Sequence, residues 1–158
     1  MITRTLRFVV ALSLLAMGAL HLQQYLGAGY SSIPTIGVLF LLNAIGGAIL
    51  GLALISPIRV VVRSGAAELA TGLLGAAGAA MALASLVALA ISKNGRLFGF
   101  HEAASGAPIT VAIVAEVVAV ISGACLAALC FRRLRSAARR ARTAATWAHT
   151  PRSVTHGR

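Results

Sequence analysis

The stretch that decides the fold is ITVAIVAEVVAVISGACLAALCFRRLRSAARRAR, residues 109–142. Between residues 109 and 131 the only charged side chain is Glu116. A run of this length can cross about 30 Å of hydrocarbon, which takes about 20 apolar residues. Arg132 then begins a series of arginines, and basic residues beside a span stay on the cytoplasmic side. The stretch predicts a membrane-spanning helix that ends in the cytoplasm and continues into a basic tail.

The composition of the whole chain favours the same class of protein. The 158 residues are 59% hydrophobic and 11% charged, with a mean hydropathy of +0.91. A soluble domain usually has about 25% charged residues. The length is enough for one compact bundle and leaves no room for a separate soluble domain.

Three further apolar runs precede residues 109–142 in the chain. We predict the spans at about residues 8–26, 36–55, 66–91 and 109–131. Pro34 is well placed to open the second helix, because proline suits a first helical turn. The connections are short, and short connections make sequential helices antiparallel neighbours. We expect an all-α fold, a membrane-spanning up-down four-helix bundle.

The basic residues are divided unequally between the two ends of this bundle. Of the 14 Lys and Arg residues, 12 fall before the first span, between the second and third, or after the fourth. Only Lys93 and Arg96 fall in the opposite connections. The split predicts a multi-pass protein of the inner (plasma) membrane with both termini in the cytoplasm. A cleaved signal peptide is the rival interpretation of the N-terminus, but no good small-x-small cleavage site follows the apolar run and the helical pattern continues to Tyr25.

The basic tail, residues 132–158, supplies most of the net charge of +11. It begins as a continuation of the fourth helix and is expected to become partly disordered beyond Thr143, at about Trp147. Because the tail adjoins a span, we expect anionic lipid headgroups as its partner and no nucleic acid. The expected lipid-contacting residues are Arg132, Arg133, Arg135, Arg139, Arg140 and Arg142.

Small residues predict how the helices pack. Gly47 and Gly51 form a GxxxG pair on the second helix, and the third helix is rich in glycine and alanine. Such residues let helix backbones approach closely in lipid. The pair has two interpretations, packing within the bundle or the seam of a homodimer.

Polar residues within the spans are the candidates for a site. His21, Asn43 and Glu116 occupy the outer half of their spans at compatible depths, and Ser85 lies at a similar height. Tyr25 stands one turn outward of His21. A buried carboxylate in lipid is costly unless it is neutralised or paired, so we expect His21 and Glu116 in contact directly or through one water.

Two interpretations of this polar group remain open. In one, it is an outward-facing pocket that exchanges protons or holds a ligand, with Tyr25 or Asn43 as a further partner. In the other, it is a hydrogen-bonded clamp that fixes the register of the helices. The second outer loop bears on the choice, because residues 97–102 (LFGFHE) are apolar and aromatic. This loop is either an interfacial anchor or a lid that brings His101 or Glu102 to the pocket.

The sequence argues against a haem site, a metal site and the common catalytic motifs. A membrane haem usually needs two axial imidazoles from spans, and only His21 lies in one, so haem is not expected. The chain has no CxxC, phosphate loop, HExxH or nucleophile elbow, and a metal site is not expected with three Glu and no Asp. Cys125 and Cys130 fall at the reducing side and are expected to be apolar fillers.

Four segments carry a resemblance: Gly18-Ala-Leu-His21, residues 29–43, the loop Leu97-Phe-Gly-Phe, and Ala115-Glu116-Val. Over about residues 5–131 the chain resembles small uncharacterised four-span membrane proteins of actinobacteria. More distantly, its first and second helices look like those of DoxX-type four-helix proteins, some of which belong to thiosulfate:quinone or thiol redox systems. The distant resemblance implies a quinone as the possible cofactor, although the chain has no outward-facing cysteine.

Three functions are consistent with these features. The leading hypothesis is an accessory or binding component with an outward polar pocket and no catalytic activity. It would act with a protein partner or as a homodimer. The alternatives are a DoxX-like redox component that binds a quinone near His21 and Glu116, and a small proton-coupled carrier. Carriers usually have internal repeats, so four spans would have to form an oligomer.

Overall fold

The computed structural model describes residues 2–56 and 64–148. Within these ranges the chain forms four long α-helices and one short 3-10 helix. Their bounds are α1 Ile2–Gly27, the 3-10 helix Tyr30–Ser32, α2 Pro34–Ile55, α3 Ser64–Asn94 and α4 Ala107–Ala148. All four α-helices are long and apolar enough to cross a membrane, so the chain is an all-helical, multi-pass membrane protein.

Each predicted span lies inside one of these helices, and the largest difference is at α4. This helix has 42 residues and continues through the arginine run to Ala148, beyond the predicted end of the regular pattern at Thr143. The reason is local, because residues 132–148 contain no glycine or proline and many strong helix formers. The predicted inner loop lies almost wholly outside the described residues, as do the residues of the tail after 148.

The connection between α1 and α2 is tight and begins with a left-handed residue. Gly29 has φ of 79°, a conformation that suits glycine, and it precedes the 3-10 turn. Ile33 is extended and Pro34 occupies the first turn of α2, as predicted for this proline. The turn buries Tyr30, which places its ring beside α2.

Glycines set the contact between α1 and α2. A Cβ at Gly47 would lie 2.6 Å from the carbonyl oxygen of Leu14, and one at Gly51 would lie 3.0 Å from that of Ala11. At the other end of the contact, Gly18 meets the carbonyl oxygen of Ala44, 3.0 Å from an added Cβ. The GxxxG pair therefore packs within the chain, and this surface is not free to form a homodimer seam.

Glycines also set the contact between α3 and α4. A Cβ at Gly123 would lie 2.7 Å from the carbonyl oxygen of Gly75, and one at Gly72 would lie 3.0 Å from Cβ of Cys130. Gly78 faces α1 instead, where Leu14 fills the space left by its missing side chain. The small residues of α3 thus pack extensively against α4 and at a few positions against α1, and α2 also meets α3 at only a few positions.

A dry core lies at the centre and towards the end of the bundle that holds the N-terminus. Its members are fully buried apolar side chains contributed by all four helices: Val10, Ala11, Leu14, Met17, Leu54, Ala82, Ala119, Leu126 and Cys130. Cys125 is exposed on α4, and no disulfide joins the two cysteines. The ionisable side chains of His21, Glu102 and Glu116 are buried towards the other end, beyond Met17 on α1.

Candidate functional site

Three polar side chains from three helices meet where α1, α3 and α4 converge. Ser85 Oγ lies 2.5 Å from Oε1 of Glu116 and 3.3 Å from Nε2 of His21. The same Nε2 and Oε1 are 3.6 Å apart. His21 and Glu116 are only 6% and 2% exposed, so both side chains are buried between the helices. The contact predicted between His21 and Glu116 is present, and Ser85 bridges it.

The backbone of α1 fixes the orientation and the tautomer of the imidazole. His21 Nδ1 lies 2.9 Å from the carbonyl oxygen of Met17, one turn earlier on the same helix. A carbonyl only accepts hydrogen bonds, so Nδ1 carries a proton and donates it. In the neutral ring, Nε2 is then an acceptor that faces the Ser85 hydroxyl.

The three groups can share one proton in two ways without moving any heavy atom. In the first, a neutral Glu116 donates to Ser85, whose hydroxyl donates to Nε2 of His21. In the second, a protonated His21 donates to Ser85, whose hydroxyl donates to a Glu116 carboxylate. Both arrangements are neutral overall, which removes most of the cost of placing ionisable groups in lipid. The geometry is that of a short proton relay.

This relay forms one wall of a cavity of about 80 Å³. Apolar side chains make up most of the lining, and the polar atoms are concentrated at the relay and near the loop after α3. The lining residues are His21, Gln24, Ile36, Leu39, Phe40, Asn43, Ser85, Ala88, Leu89, Ser92, Leu97, Phe100, Glu102, Ile109, Ala112 and Glu116. An apolar cavity with a few convergent polar groups is the usual form of a small-molecule site.

Aromatic rings line one side of the cavity. The Phe40 ring packs against His21, with centroids 5.1 Å apart, and stacks on Tyr30 at 4.4 Å. Tyr30 also meets the edge of Phe100 at 6.0 Å. Offset and edge contacts of this kind stabilise aromatic pairs, so these rings hold one another in place. They join α1 and α2 to the α1–α2 and α3–α4 connections at the height of the relay.

The loop between α3 and α4 closes over this end through Glu102. The Tyr30 hydroxyl donates to Oε2 of Glu102 at 2.6 Å, and the Ala104 amide donates to Oε1 at 2.8 Å. The Glu102 amide donates to the Ser92 carbonyl at 3.0 Å. Burial raises the pKa of the Tyr30 hydroxyl, and the hydrogen bond and the negative charge of Glu102 raise it further.

The loop has one part that lines the cavity and one part that is exposed. Leu97 and Phe100 pair through two backbone hydrogen bonds, with Phe98 and Gly99 at the turn in left-handed conformations. Leu97 and Phe100 line the cavity, whereas Phe98 is 70% exposed at the tip. The loop is therefore a lid over the cavity, and it also presents one aromatic ring outward.

Two of the predicted pocket residues do not line the cavity. Tyr25 lies one turn beyond His21, but the cavity is on the Gln24 side, and at 100° per residue the two positions face different ways. His101 is exposed and its Nδ1 donates to the Gly95 carbonyl at the base of the lid. Asn43 lines the cavity without a hydrogen bond to the relay.

Sequence reasoning missed the aromatic side of the site. Phe40 lies three residues before Asn43 on α2, and this helical spacing was the available signal. The burial of Tyr30 could not be predicted, because a connecting segment gives no periodic pattern from which burial follows. Ser85 was recognised by its depth but not as the bridge of the relay.

The opposite end of the bundle is basic. All six arginines predicted to contact lipid are exposed on α4. Arg133 donates to Oε1 of Glu68 at 3.3 Å, which ties α4 to the first turns of α3. A shallow surface depression runs beside it between Leu129 and Arg140.

The chain was compared with models of protein families, with curated proteins and with solved structures, and none of them matches it.

Proposed function

We propose that this protein is a membrane-embedded binding component that holds a small molecule in the cavity beside the His21–Ser85–Glu116 relay. One observation carries the proposal: a partly apolar cavity adjoins a buried proton-sharing group and is covered by a lid. A clamp that only fixed helix register would need neither the empty space nor the lid. Intramembrane ionisable groups are costly, and they usually mark sites of binding or proton movement.

The proposal includes an up-down bundle with both termini in the cytoplasm of the inner membrane. The helix contacts support the alternation, because Gly51 near the end of α2 meets Ala11 near the start of α1, and Gly72 of α3 meets Cys130 of α4. The 12-to-2 division of basic residues supports the orientation. The cavity then lies in the outer half of the membrane.

Cysteine labelling tests this orientation. Ser31 and Ser136 are both exposed, and they lie at opposite ends of the bundle. With the native cysteines replaced, an impermeant maleimide added to intact cells should label Ser31→Cys and leave Ser136→Cys unlabelled until the membrane is opened. Labelling of Ser136→Cys alone from outside would reverse the proposed topology.

A matched pair of substitutions on α3 tests the binding role. Ala88 lines the cavity, whereas Ala84, one turn earlier, is exposed on the same helix. Ala88→Phe should fill the cavity and Ala84→Phe should not. Native mass spectrometry in mild detergent should show a co-purifying small molecule with the wild type and with Ala84→Phe, and none with Ala88→Phe. Identical spectra for all three proteins would contradict a ligand in this cavity.

The second candidate function is that of a DoxX-like redox component, in which the cavity binds a quinone. The flat rings of Phe40 and Phe100 beside hydrogen-bonding groups favour a planar carbonyl compound, and a DoxX-like relationship, also a proposal, fits the same ligand. Ultraviolet spectra of the purified protein, oxidised and then reduced with borohydride, test it. A quinone gives a difference band that Ala88→Phe should abolish. A small proton-coupled carrier is the third candidate function. Transport of a bound molecule into proteoliposomes would favour it.

The tail is proposed to contact anionic headgroups or a protein partner. The helical rise of about 1.5 Å places Arg142 about 16 Å beyond Phe131, whereas a headgroup layer is only about 5–8 Å deep. Arg132, Arg133 and Arg135 are therefore the residues that meet lipid when α4 follows the membrane normal. Replacing these three by Gln should weaken association of the full chain with anionic lipid more than replacing Arg139, Arg140 and Arg142. Equal effects would indicate a tail that bends onto the membrane surface.

A further inference from the structure

The charges that face the cavity are all acidic or shared within the relay. Glu102 and Glu116 line it, His21 is the third ionisable group, and among the residues that the structure describes no Lys or Arg side chain is part of the lining. Lys93, the nearest basic residue along α3, donates instead to the carbonyl oxygen of Ala104. The cavity therefore lacks a partner for an anion and offers carboxylates to a cation.

The shape and the rings of the cavity narrow the class of cation. About 80 Å³ has room for roughly five to eight water-sized groups, so the ligand is small. Phe40 and Phe100 present aromatic carbon, and the negative face of a ring attracts a cation at close range. Leu39, Leu89 and Ile109 provide an apolar surface for a short hydrocarbon body.

The relay provides the exchangeable charge. Within the described residues, the Glu116 carboxyl group meets Ser85 and His21 through Oε1, and this geometry lets the three side chains share one proton. An ammonium group that approached Glu116 would form a charge-assisted hydrogen bond with its carboxylate. Two positive charges at one carboxylate are unfavourable, so the shared proton would leave as the ammonium arrives.

We infer that the cavity binds a small organic cation, a protonated amine with a short apolar body, and that binding releases one proton from the His21–Ser85–Glu116 relay. The inference rests on the proposed binding function and specifies its ligand class. The proton balance is complete: the amine arrives and stays protonated, Glu116 pairs with it as a carboxylate, and the shared proton passes to the solvent. The net charge of the site does not change, because the ammonium group replaces the proton that leaves.

The groups that face the relay set its pH dependence. Glu116 comes from α4, His21 from α1, and Glu102 with Tyr30 from the lid and the first connection, while α2 and α3 contribute Phe40, Asn43, Ser85 and Ser92, which do not titrate in this range. Release of one proton makes binding tighter as the pH rises. The dissociation constant should fall by up to about tenfold for each pH unit while the relay remains protonated.

Isothermal titration calorimetry on the full chain in nanodiscs tests the inference with three probes of matched length. n-Butylamine is the cation, 1-butanol is its neutral counterpart and butyrate is the anion. Titration in phosphate and in HEPES separates the heat of binding from that of proton release. n-Butylamine should bind with release of one proton and with rising affinity between about pH 6 and about pH 8, where it stays protonated. The other two probes should bind at least tenfold more weakly.

Two Glu→Gln variants sharpen the test. Glu116→Gln can still hydrogen-bond to Ser85 but cannot become an anion, so it should lose the proton release and at least tenfold in affinity for n-butylamine. Glu68→Gln, at the other end of the bundle, should behave as the wild type. Thermal unfolding of each variant shows that the loss is not a failure to fold.

The remaining outcomes separate this inference from the function on which it rests. Equal binding of 1-butanol and n-butylamine, or tighter binding of butyrate, would overturn the cation inference and leave a binding cavity in place. n-Butylamine binding without proton release would overturn the role of the relay. If no probe binds and the co-purified molecule is also absent from the wild type, both the inference and the proposed function are wrong.

Discussion

The helices pack closely at one end of this bundle and enclose a cavity at the other. In the half around Leu14, Gly47 and Gly123, here called the glycine-packed half, helix backbones approach until an added Cβ would meet a carbonyl oxygen at 2.6 to 2.7 Å. In the half around His21 and Glu116, here called the cavity half, side chains hold the helices apart and leave about 80 Å³ unfilled. The same four helices are closed at one end and open at the other.

The difference indicates how a small membrane protein can keep a cavity. Lipid gives no hydrophobic drive for helix association, so close backbone contact and interhelical hydrogen bonds have to provide it. The glycine-packed half contributes the contact, and the relay and the Tyr30–Glu102 bond contribute the hydrogen bonds at the open end. Because the glycine-packed half provides most of the close helix contacts, the helices of the cavity half can leave space between them.

The largest effect is expected from a side chain placed in the glycine-packed half. Gly47→Leu would bring Cβ within 2.6 Å of a backbone oxygen, so α1 and α2 must separate. We expect the free energy of unfolding to fall by about 3 kcal/mol, the upper end for overpacking. Thermal unfolding in detergent measures this. Gly65→Ala, where an added Cβ meets nothing within 4 Å, is the control and should change little.

The next largest effect is expected at the relay. Glu116→Ala removes the carboxyl group that accepts from Ser85 and lies beside His21, so the hydrogen bond that joins α4 to α3 is lost. A buried hydrogen bond to an ionisable group contributes about 1.5 to 3 kcal/mol, so we expect a loss of about 2 kcal/mol. Glu116→Gln should lose less than about 0.5 kcal/mol, because an amide keeps a hydrogen bond. Equal losses for both variants would show that charge, and not hydrogen bonding, stabilises this end.

A smaller effect is expected at the lid. Tyr30→Phe removes the hydrogen bond to Glu102 and keeps the stack on Phe40, so about 1 kcal/mol should be lost. Hydrogen exchange of residues 97–104 should accelerate, while that of α1 near Leu14 should not change. Faster exchange throughout the bundle would mean that the two halves are not independent.

The same variant gives a pH test. Because the Tyr30 pKa is raised in the folded protein, this group contributes stability that is fully present below its unfolded pKa of about 10 and declines as the pH rises above it. Between neutral pH and pH about 10 the difference between wild type and Tyr30→Phe should be constant. Above that it should shrink, as thermal unfolding across this range would show. A constant difference at every pH would contradict the buried hydroxyl.

The smallest effect is expected at the exposed ion pair of the basic end. Arg133 is more than half exposed and lies 3.3 Å from Glu68, and exposed pairs contribute about 0 to 1 kcal/mol. Arg133→Gln should lower the free energy of unfolding by less than about 0.5 kcal/mol, and added salt should remove the difference. A loss as large as that of Glu116→Ala would place an important contact at this end.

Sequence patterns predicted most of the fold and only part of the site. The spans followed from runs of apolar residues, and the meeting of His21 with Glu116 followed from the cost of an isolated carboxylate in lipid together with a depth estimate. Rotational position was harder, because depth says nothing about which way a side chain faces. Tyr25 lies one turn beyond His21 on α1, but the cavity is lined by its neighbour Gln24, which points about 100° away from Tyr25.

Contacts between connecting segments were beyond the reach of patterns. Tyr30 and Glu102 are 72 positions apart in two short irregular segments, and neither periodicity nor depth links them. The extent of α4 illustrates a different limit. The sequence is polar and poorly patterned beyond Thr143, whereas the helix continues to Ala148, because this alanine-rich segment is helical by its own backbone preferences.

The distribution of helix contacts has a consequence for how the protein assembles. α1 pairs with α2 and α3 pairs with α4 through extensive local contacts, and the two hairpins meet mainly along α1 and α4. Contacts close in sequence form quickly, so each hairpin can form as a unit before the two come together. His21 belongs to the first hairpin, and Ser85 and Glu116 to the second. The relay therefore exists only after the last docking step, and a newly inserted chain has no site until its biogenesis is complete.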